Sequence, residues 1–163
     1  MFVCGGVRSG KSQFAEQLAA SYNEPIAYIA TSEQLDNEMK VRIHKHRQNR
    51  EQSLVTWHTY ENPYELPIVQ ESIILFECVT TWLTNQFFMK GNKDANQYFL
   101  NWLEAQRKDK TIIIVSNDLF YDSESIYADT NYFLKLLGKL HISIVEQCDE
   151  AYECQGKLVK QWR

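Results

Sequence analysis

The chain lacks any apolar run long enough to cross a bilayer, and no basic segment followed by an apolar stretch opens it. Neither a membrane-spanning helix nor a cleaved leader is expected, and a cytoplasmic location is. Clustered cysteines are missing as well. The four thiols, Cys4, Cys78, Cys148 and Cys154, form no C-x-x-C pair. That spacing argues against a structural zinc site and a small disulfide scaffold, so they are expected as mostly buried, reduced thiols. Positive charge is not in excess: 17 Lys and Arg against 21 Asp and Glu leave a formal net charge of −4. Such a balance gives no general footprint for nucleic acid or an anionic membrane, and any basic site must be local. Internal repeats, low-complexity tracts and linkers are absent too. With 163 residues the chain suits one domain, 1–163, with a full hydrophobic core.

What is present is concentrated near the start. Gly5 and Gly10 frame Gly6-Val7-Arg8-Ser9, and Lys11-Ser12 follow directly, which is the G-x-x-x-x-G-K-[ST] phosphate loop. Glycines let successive backbone N–H groups turn inward toward phosphate oxygens. Lys11 supplies a point charge for the outer phosphates of a nucleoside triphosphate, and the Ser12 hydroxyl is placed to ligate Mg²⁺. Residues 13–22 alternate apolar and polar at helical spacing, so the loop opens a helix whose N-terminus faces the anion.

Apolar runs and helical periodicities alternate from there on. Residues 25–30 read as a strand buried on both faces, as parallel strands are. Thr31 and Ser32 close it, either as nucleotide contacts beyond the strand end or as the start of the next helix. Residues 36–50 form an expected helix with acids first and bases last. On it Arg42, His46 and Arg50 are spaced by four and share a face. That face is either a solvated basic surface or a histidine presented between two guanidiniums to something rich in phosphate.

Residues 54–58 are expected as a strand and 59–63 as a turn. Residues 72–77 form a clearly buried strand ending on Glu77, which is either a second Mg²⁺ contact at the strand's carboxyl end or a cap on the next helix. Helical periodicity returns over 78–89 and, after a polar break at 91–94, again to about 107. A third apolar strand covers 111–116, with Asn117 and Asp118 beyond it. A helix from about 125 is expected to stop at Gly138, followed by a short strand over 142–146 and a hairpin over 150–162 turning at Gln155-Gly156. The expected fold is α/β, a mostly parallel sheet flanked by helices with an antiparallel hairpin at its C-terminal edge.

Five segments together carry a family resemblance. They are Gly5-Gly-Val-Arg-Ser-Gly-Lys-Ser12, Tyr28-Ile-Ala-Thr-Ser32, Asp36-x-Glu-Met-x-x-Arg-Ile-x-x-His46-x-x-x-Arg50, Trp57-x-Thr-x-Glu61 and Glu77-Cys-x-Thr-x-Trp-Leu-x-Asn85. In register over roughly the first 90 residues, the chain resembles the bifunctional adenosylcobinamide kinase / adenosylcobinamide-phosphate guanylyltransferase family of cobalamin synthesis. The resemblance implies a P-loop fold of RecA type, a trimer, and two reactions. In the first, ATP or GTP phosphorylates the aminopropanol hydroxyl of adenosylcobinamide, a corrinoid. In the second, GMP passes from GTP to that phosphate through a guanylyl-histidine, giving adenosyl-GDP-cobinamide and pyrophosphate. His46 matches the guanylylated residue. Gly5, Gly6, Val7, Arg8, Ser9, Gly10, Lys11, Ser12, Thr31, Ser32, Arg50, Glu61 and Glu77 match the nucleotide site, with Lys11 catalytic and Ser12 and Glu77 on the metal. The chemistry of the residues agrees, since a neutral imidazole is a competent nucleophile toward phosphorus near pH 7. His44 lies about 160° around the helix from His46 and is set aside.

The second half departs from the family pattern. Asn117-Asp118-Leu-Phe-Tyr-Asp-Ser123 stands where an Asn-Glu-Val-Gly segment is usual, and Gly138-Lys-Leu-His-Ile142 where a Gly-x-x-Asn-Gln helix is. Two other readings are open at this level. One is a different phosphate-loop small-molecule kinase, with His46 structural or substrate-binding. The other is a nucleotide-binding regulatory or nucleic-acid-associated module docking the 40–50 helix on a phosphate backbone. The acidic balance and the absence of aromatics on that helix weigh against the last.

Overall fold

A run such as Ile73-Ile-Leu-Phe76 carries apolar side chains on both faces of an extended chain, so both must be covered. The computed structural model describes residues 1–32, 41, 44, 46–48, 50–120, 126–156 and 158–163, and it covers both. The strands are β1 (Phe2–Gly5), β2 (Ile26–Ala30), β3 (Trp57–Glu61), β4 (Ile73–Glu77), β5 (Thr111–Asn117), β6 (Ala151–Gln155) and β7 (Leu158–Gln161). They form a seven-stranded sheet in the order β3-β2-β4-β5-β1-β6-β7. Each neighbouring pair is parallel except β6 with β7. The helices are α1 (Lys11–Ala20), α2 (the helical residues between 41 and 51), α3 (Val79–Thr84, extended by a π-helical turn Asn85–Met89), α4 (Ala95–Gln106) and α5 (Ala128–Gln147). The expected α/β architecture and its C-terminal hairpin are thus present, with Gly156 at a φ of 52° in the turn.

Alternation along β4 divides the core. Ile74 and Phe76 point into a cluster with Trp82, Phe99, Trp102, Leu137 and Ile144, whereas Ile73 and Leu75 join Val3, Ala15, Ala19, Ile26 and Val115 under α1. Phe76 meets Phe99 edge-on at 5.2 Å between ring centroids, and Trp82 lies 5.4 Å from Phe99. Truncating any of these three to Ala would cost about 3–5 kcal/mol. The carboxyl ends of the inner strands are tied together. Thr31 N–H donates to the Glu77 carbonyl at 3.0 Å, and Asp118 N–H donates to the Gly5 carbonyl at 3.0 Å. Open parallel sheets bind ligands beyond that end.

Three expectations are corrected. The strand expected over 54–58 lies instead at Trp57–Glu61, taking in part of the expected turn. Leu54 is fully exposed, and the register is set by pairing Trp57 to Glu61 with Ile26 to Ala30 of β2. Gly138 does not stop a helix, and 142–146 is not a strand. Both lie within α5, which runs from Ala128 to Gln147. Phe133, Leu137, Leu140 and Ile144 are buried on one stripe at spacings of four, three and four, and this burial outweighs the roughly 1 kcal/mol cost of one helical glycine. The thiols are free, three of them buried and Cys4 half-buried, and burial pushes Cys4 to about 11. Residues 36–40, Arg42 and Tyr121 to Ser123 lie outside the described residues.

Candidate active site

The loop between β1 and α1 is shaped by two glycines in different ways. Gly10 caps α1 at a φ of 93°, left-handed backbone that side chains rarely adopt. At Gly5 space decides, because a Cβ there would sit 2.4 Å from the Cys154 carbonyl oxygen and 2.6 Å from Ser9 Oγ. Among the described residues no side chain caps α1, so its first N–H groups face the loop. Gly6 is half-buried, Val7 and Arg8 are exposed, and Ser9 is buried. Arg8 holds a φ of 60°. Lys11 is 5% exposed, and its Nζ donates to the Gly6 carbonyl at 3.2 Å, which curls the cation over the loop. The loop thus joins oriented dipoles to one cation, the elements of a phosphate cradle.

Ser12, on the first turn of α1, reaches across to the sheet. Its Oγ donates to Glu77 Oε1 at 2.7 Å at the end of β4. The other oxygen, Glu77 Oε2, is out of contact with solvent and has no partner among the described residues. Burial pushes this carboxyl above the usual range, opposed by the Ser12 hydrogen bond and then by the charge of Lys11. A carboxylate held with one oxygen unused beside a hydroxyl is a hard, oxygen-only donor set. Thr31 is fully buried, and its hydroxyl is engaged with the backbone. It donates toward the Glu77 and Cys78 carbonyls at 3.1 and 2.9 Å and accepts from Cys78 N–H at 2.8 Å. In this arrangement it steadies the backbone that carries Glu77. Asn85 adds to the same clamp by donating to the Thr31 carbonyl at 3.1 Å and the Pro63 carbonyl at 3.0 Å. Ser32 follows, half-buried.

Helix α2 brings the basic residues to α1. His46 Nδ1 lies 3.2 and 3.3 Å from the two carboxylate oxygens of Glu16, and Arg50 donates to Glu16 Oε1 at 2.9 Å. Arg50 is 7% exposed, with its guanidinium carbon 3.8 Å above the Tyr28 ring. Burial pushes the Tyr28 hydroxyl well above its usual value, so the ring is neutral beneath the cation. Stacking, an ion pair and burial together leave this guanidinium one position. His44 is exposed. Glu61 is apart from this group, in an exposed ion pair with Arg47 at 3.7 Å that solvent screens. A cavity of about 280 Å³ opens beside Arg50, between Gln13, Gln17, Ser53 and Trp57.

Glu16 was not singled out from sequence, and a signal for it existed. It stands four residues after Ser12 and hence on the same face of α1. Its partners are 30 and 34 residues away, which spacing does not reveal. The structure therefore sets Lys11, Ser12 and Glu77 at the first turn of α1 and Glu16, His46 and Arg50 one turn further along it, with Thr31 behind Glu77.

Comparison with known proteins points the same way. Residues 1–159 match the model of a family described as cobinamide kinase / cobinamide phosphate guanyltransferase. The chain is 34% identical to the bifunctional adenosylcobalamin biosynthesis protein CobU of Salmonella typhimurium, over 93% of each chain. It is 33% identical to the bifunctional adenosylcobalamin biosynthesis protein CobP of Pseudomonas aeruginosa, over 90% of this chain and 87% of that protein. The CobU protein of Escherichia coli is 29% identical over 93% of each chain. A phosphate loop, an acid closing β4 and a histidine helix docked on α1 thus occur in a chain matched almost end to end, and it belongs to the cobinamide kinase / cobinamide phosphate guanyltransferase family.

Proposed function

We propose that this protein, as one domain over 1–163 in the cytoplasm, phosphorylates adenosylcobinamide with ATP or GTP. It then transfers GMP from GTP to the new phosphate through a guanylyl-histidine at His46. The observation that carries the reading is the docking of His46 on α1, the helix that the phosphate loop opens, through Glu16. The helix that begins at the loop thus also carries the residue that holds this imidazole, which supports the reading.

In the kinase step the loop N–H groups and Lys11 hold the β- and γ-phosphates; the corrinoid hydroxyl attacks the γ-phosphorus, the bond to the β-phosphate oxygen breaks, the nucleoside diphosphate leaves with the electron pair, and the hydroxyl proton passes to water. Ser12 and Glu77 would hold Mg²⁺, and the unused Oε2 supports this assignment. The ion when bound supplies neutralisation of charge on the phosphate oxygens. In the transfer step a ring nitrogen of His46 attacks the α-phosphorus, the bond to the β-phosphate oxygen breaks, and pyrophosphate leaves with the electron pair. An oxygen of adenosylcobinamide phosphate then attacks the same phosphorus and releases the imidazole. Arg50 stands beside His46 as a fixed positive charge, suited to the developing negative charge. A trimer is part of the same proposal. Phe88, Met89 and Tyr132 are exposed apolar residues that support it.

The test uses GTP labelled at the α-phosphate, with Mg²⁺, beside a His46→Ala control. Acid-labile, base-stable label on the protein that vanishes in the control supports the guanylyl-histidine. A GTP-binding protein that takes up no label is instead a phosphate-loop kinase without guanylyl transfer. Lys11→Met is expected to remove both activities, and His46→Ala to remove transfer more completely than phosphorylation.

A further inference from the structure

The geometry points to Glu16 as the residue that selects which nitrogen of His46 is the nucleophile. A carboxylate accepts hydrogen bonds and donates none. His46 Nδ1 lies 3.2 and 3.3 Å from the two Glu16 oxygens, so Nδ1 is the nitrogen that carries a proton, and in the neutral ring the lone pair is then on Nε2. Both partners are held. Glu16 is 7% exposed and shares Oε1 with Arg50, whose guanidinium is fixed over Tyr28. A carboxylate pinned by a stacked guanidinium has little freedom to turn away, and the ring it receives is fixed in tautomer and direction.

The placement along α1 matters as much as the contact. Glu16 is four residues beyond Ser12, about 6 Å along the axis. The helix that opens at the phosphate site therefore also anchors the histidine, and the two are held in one frame by a single rigid element.

This inference rests on the guanylyl-histidine reading, and its bookkeeping of protons is simple. The Nε2 lone pair forms the bond to the α-phosphorus while pyrophosphate departs. The ring, protonated at Nδ1 and bonded to phosphorus at Nε2, then carries positive charge directly against the Glu16 carboxylate. In the second half-reaction Nε2 takes back its electron pair, and the ring returns to the neutral form protonated at Nδ1. No proton has to leave the ring in either step, and the carboxylate stabilises the charge present between them. Glu16 acts through His46 and is a positioning residue.

Two measurements on the full chain test this. Nitrogen NMR of protein labelled at histidine, at neutral pH, is expected to show His46 protonated at Nδ1, with His46→Gln used to assign the signal. A ring protonated at Nε2 in the native protein overturns the inference without any substitution that could disturb folding. Glu16→Gln is expected to lower the single-turnover rate of His46 labelling from α-labelled GTP by about 10²-fold and to give mixed tautomers. Labelling at the native rate in a folded Glu16→Gln protein also overturns it, while the guanylyl-histidine stands. If native protein takes up no label, the underlying reading fails, and the tautomer of His46 still reports on Glu16.

Discussion

Ser12 Oγ and Glu77 Oε1 are joined at 2.7 Å, which ties the first turn of α1 to the end of β4. This carboxylate sits at some cost to the fold, since burial disfavours its charged form and Oε2 has no partner among the described residues, and the proposed metal role would account for that cost. Glu77→Gln is therefore expected to unfold at the same or higher denaturant concentration than the native protein. Both activities should fall by about 10²-fold or more. The rise in Tm that Mg²⁺ and nucleotide produce in the native protein should shrink in the variant. A large loss of stability in Glu77→Gln would contradict this division.

Neighbouring glycines are predicted to behave differently. A Cβ on Gly5 meets the Cys154 carbonyl at 2.4 Å, and that carbonyl belongs to a strand paired with β1, so it cannot retreat without loosening the sheet. Gly5→Ala should cost about 1–3 kcal/mol in urea unfolding. At Gly6 nothing among the described residues lies within 4 Å of an added Cβ, and Gly6→Ala should stay within about 0.5 kcal/mol.

Removing Gly138 should stabilise the protein. Among the described residues its Cβ would meet Phe120 ring carbons, the nearer at 3.6 Å, which is ordinary van der Waals contact. Gly138→Ala is expected to raise stability by about 0.4–1 kcal/mol, read as an increase in Tm of a few degrees. A decrease would mean that the helix needs close approach at this position.

A pH dependence follows from His141. Its Nε2 lies 2.6 Å from Ser116 Oγ, the ring meets Phe2 and Phe120 edge-on, and burial lowers its pKa to about 4. The unfolded chain takes up this proton near pH 6.5 and the folded one near pH 4. Stability from the neutral ring is thus complete above about pH 6.5, is lost as pH falls through that window, and levels off below about pH 4. The loss should approach about 3 kcal/mol, and His141→Asn should flatten the dependence when unfolding is compared at pH 7, 5.5 and 4.5.

Much of this was legible because it is local. The phosphate loop occupies eight consecutive residues, so spacing alone conveys its chemistry, and the apolar runs at β2, β4 and β5 announce strands covered on both faces. Local signals also misled. Gly138 reads as a stop signal, and only the packed stripe of Phe133, Leu137, Leu140 and Ile144 shows why α5 continues through it. Likewise 54–58 has strand-like composition, and pairing with β2 places the strand three residues later.

Which residues could hold phosphate, offer a nucleophile or close a strand on an acid is written in the chain, because those properties belong to residue types and short spacings. Tertiary structure alone decided that Ser12 meets Glu77 across 65 residues, that Glu16 receives both His46 and Arg50, and that Ser116 meets His141. Such pairs depend on the order in which strands enter the sheet and on where each crossover returns its helix. Those are set by burial summed over the whole chain.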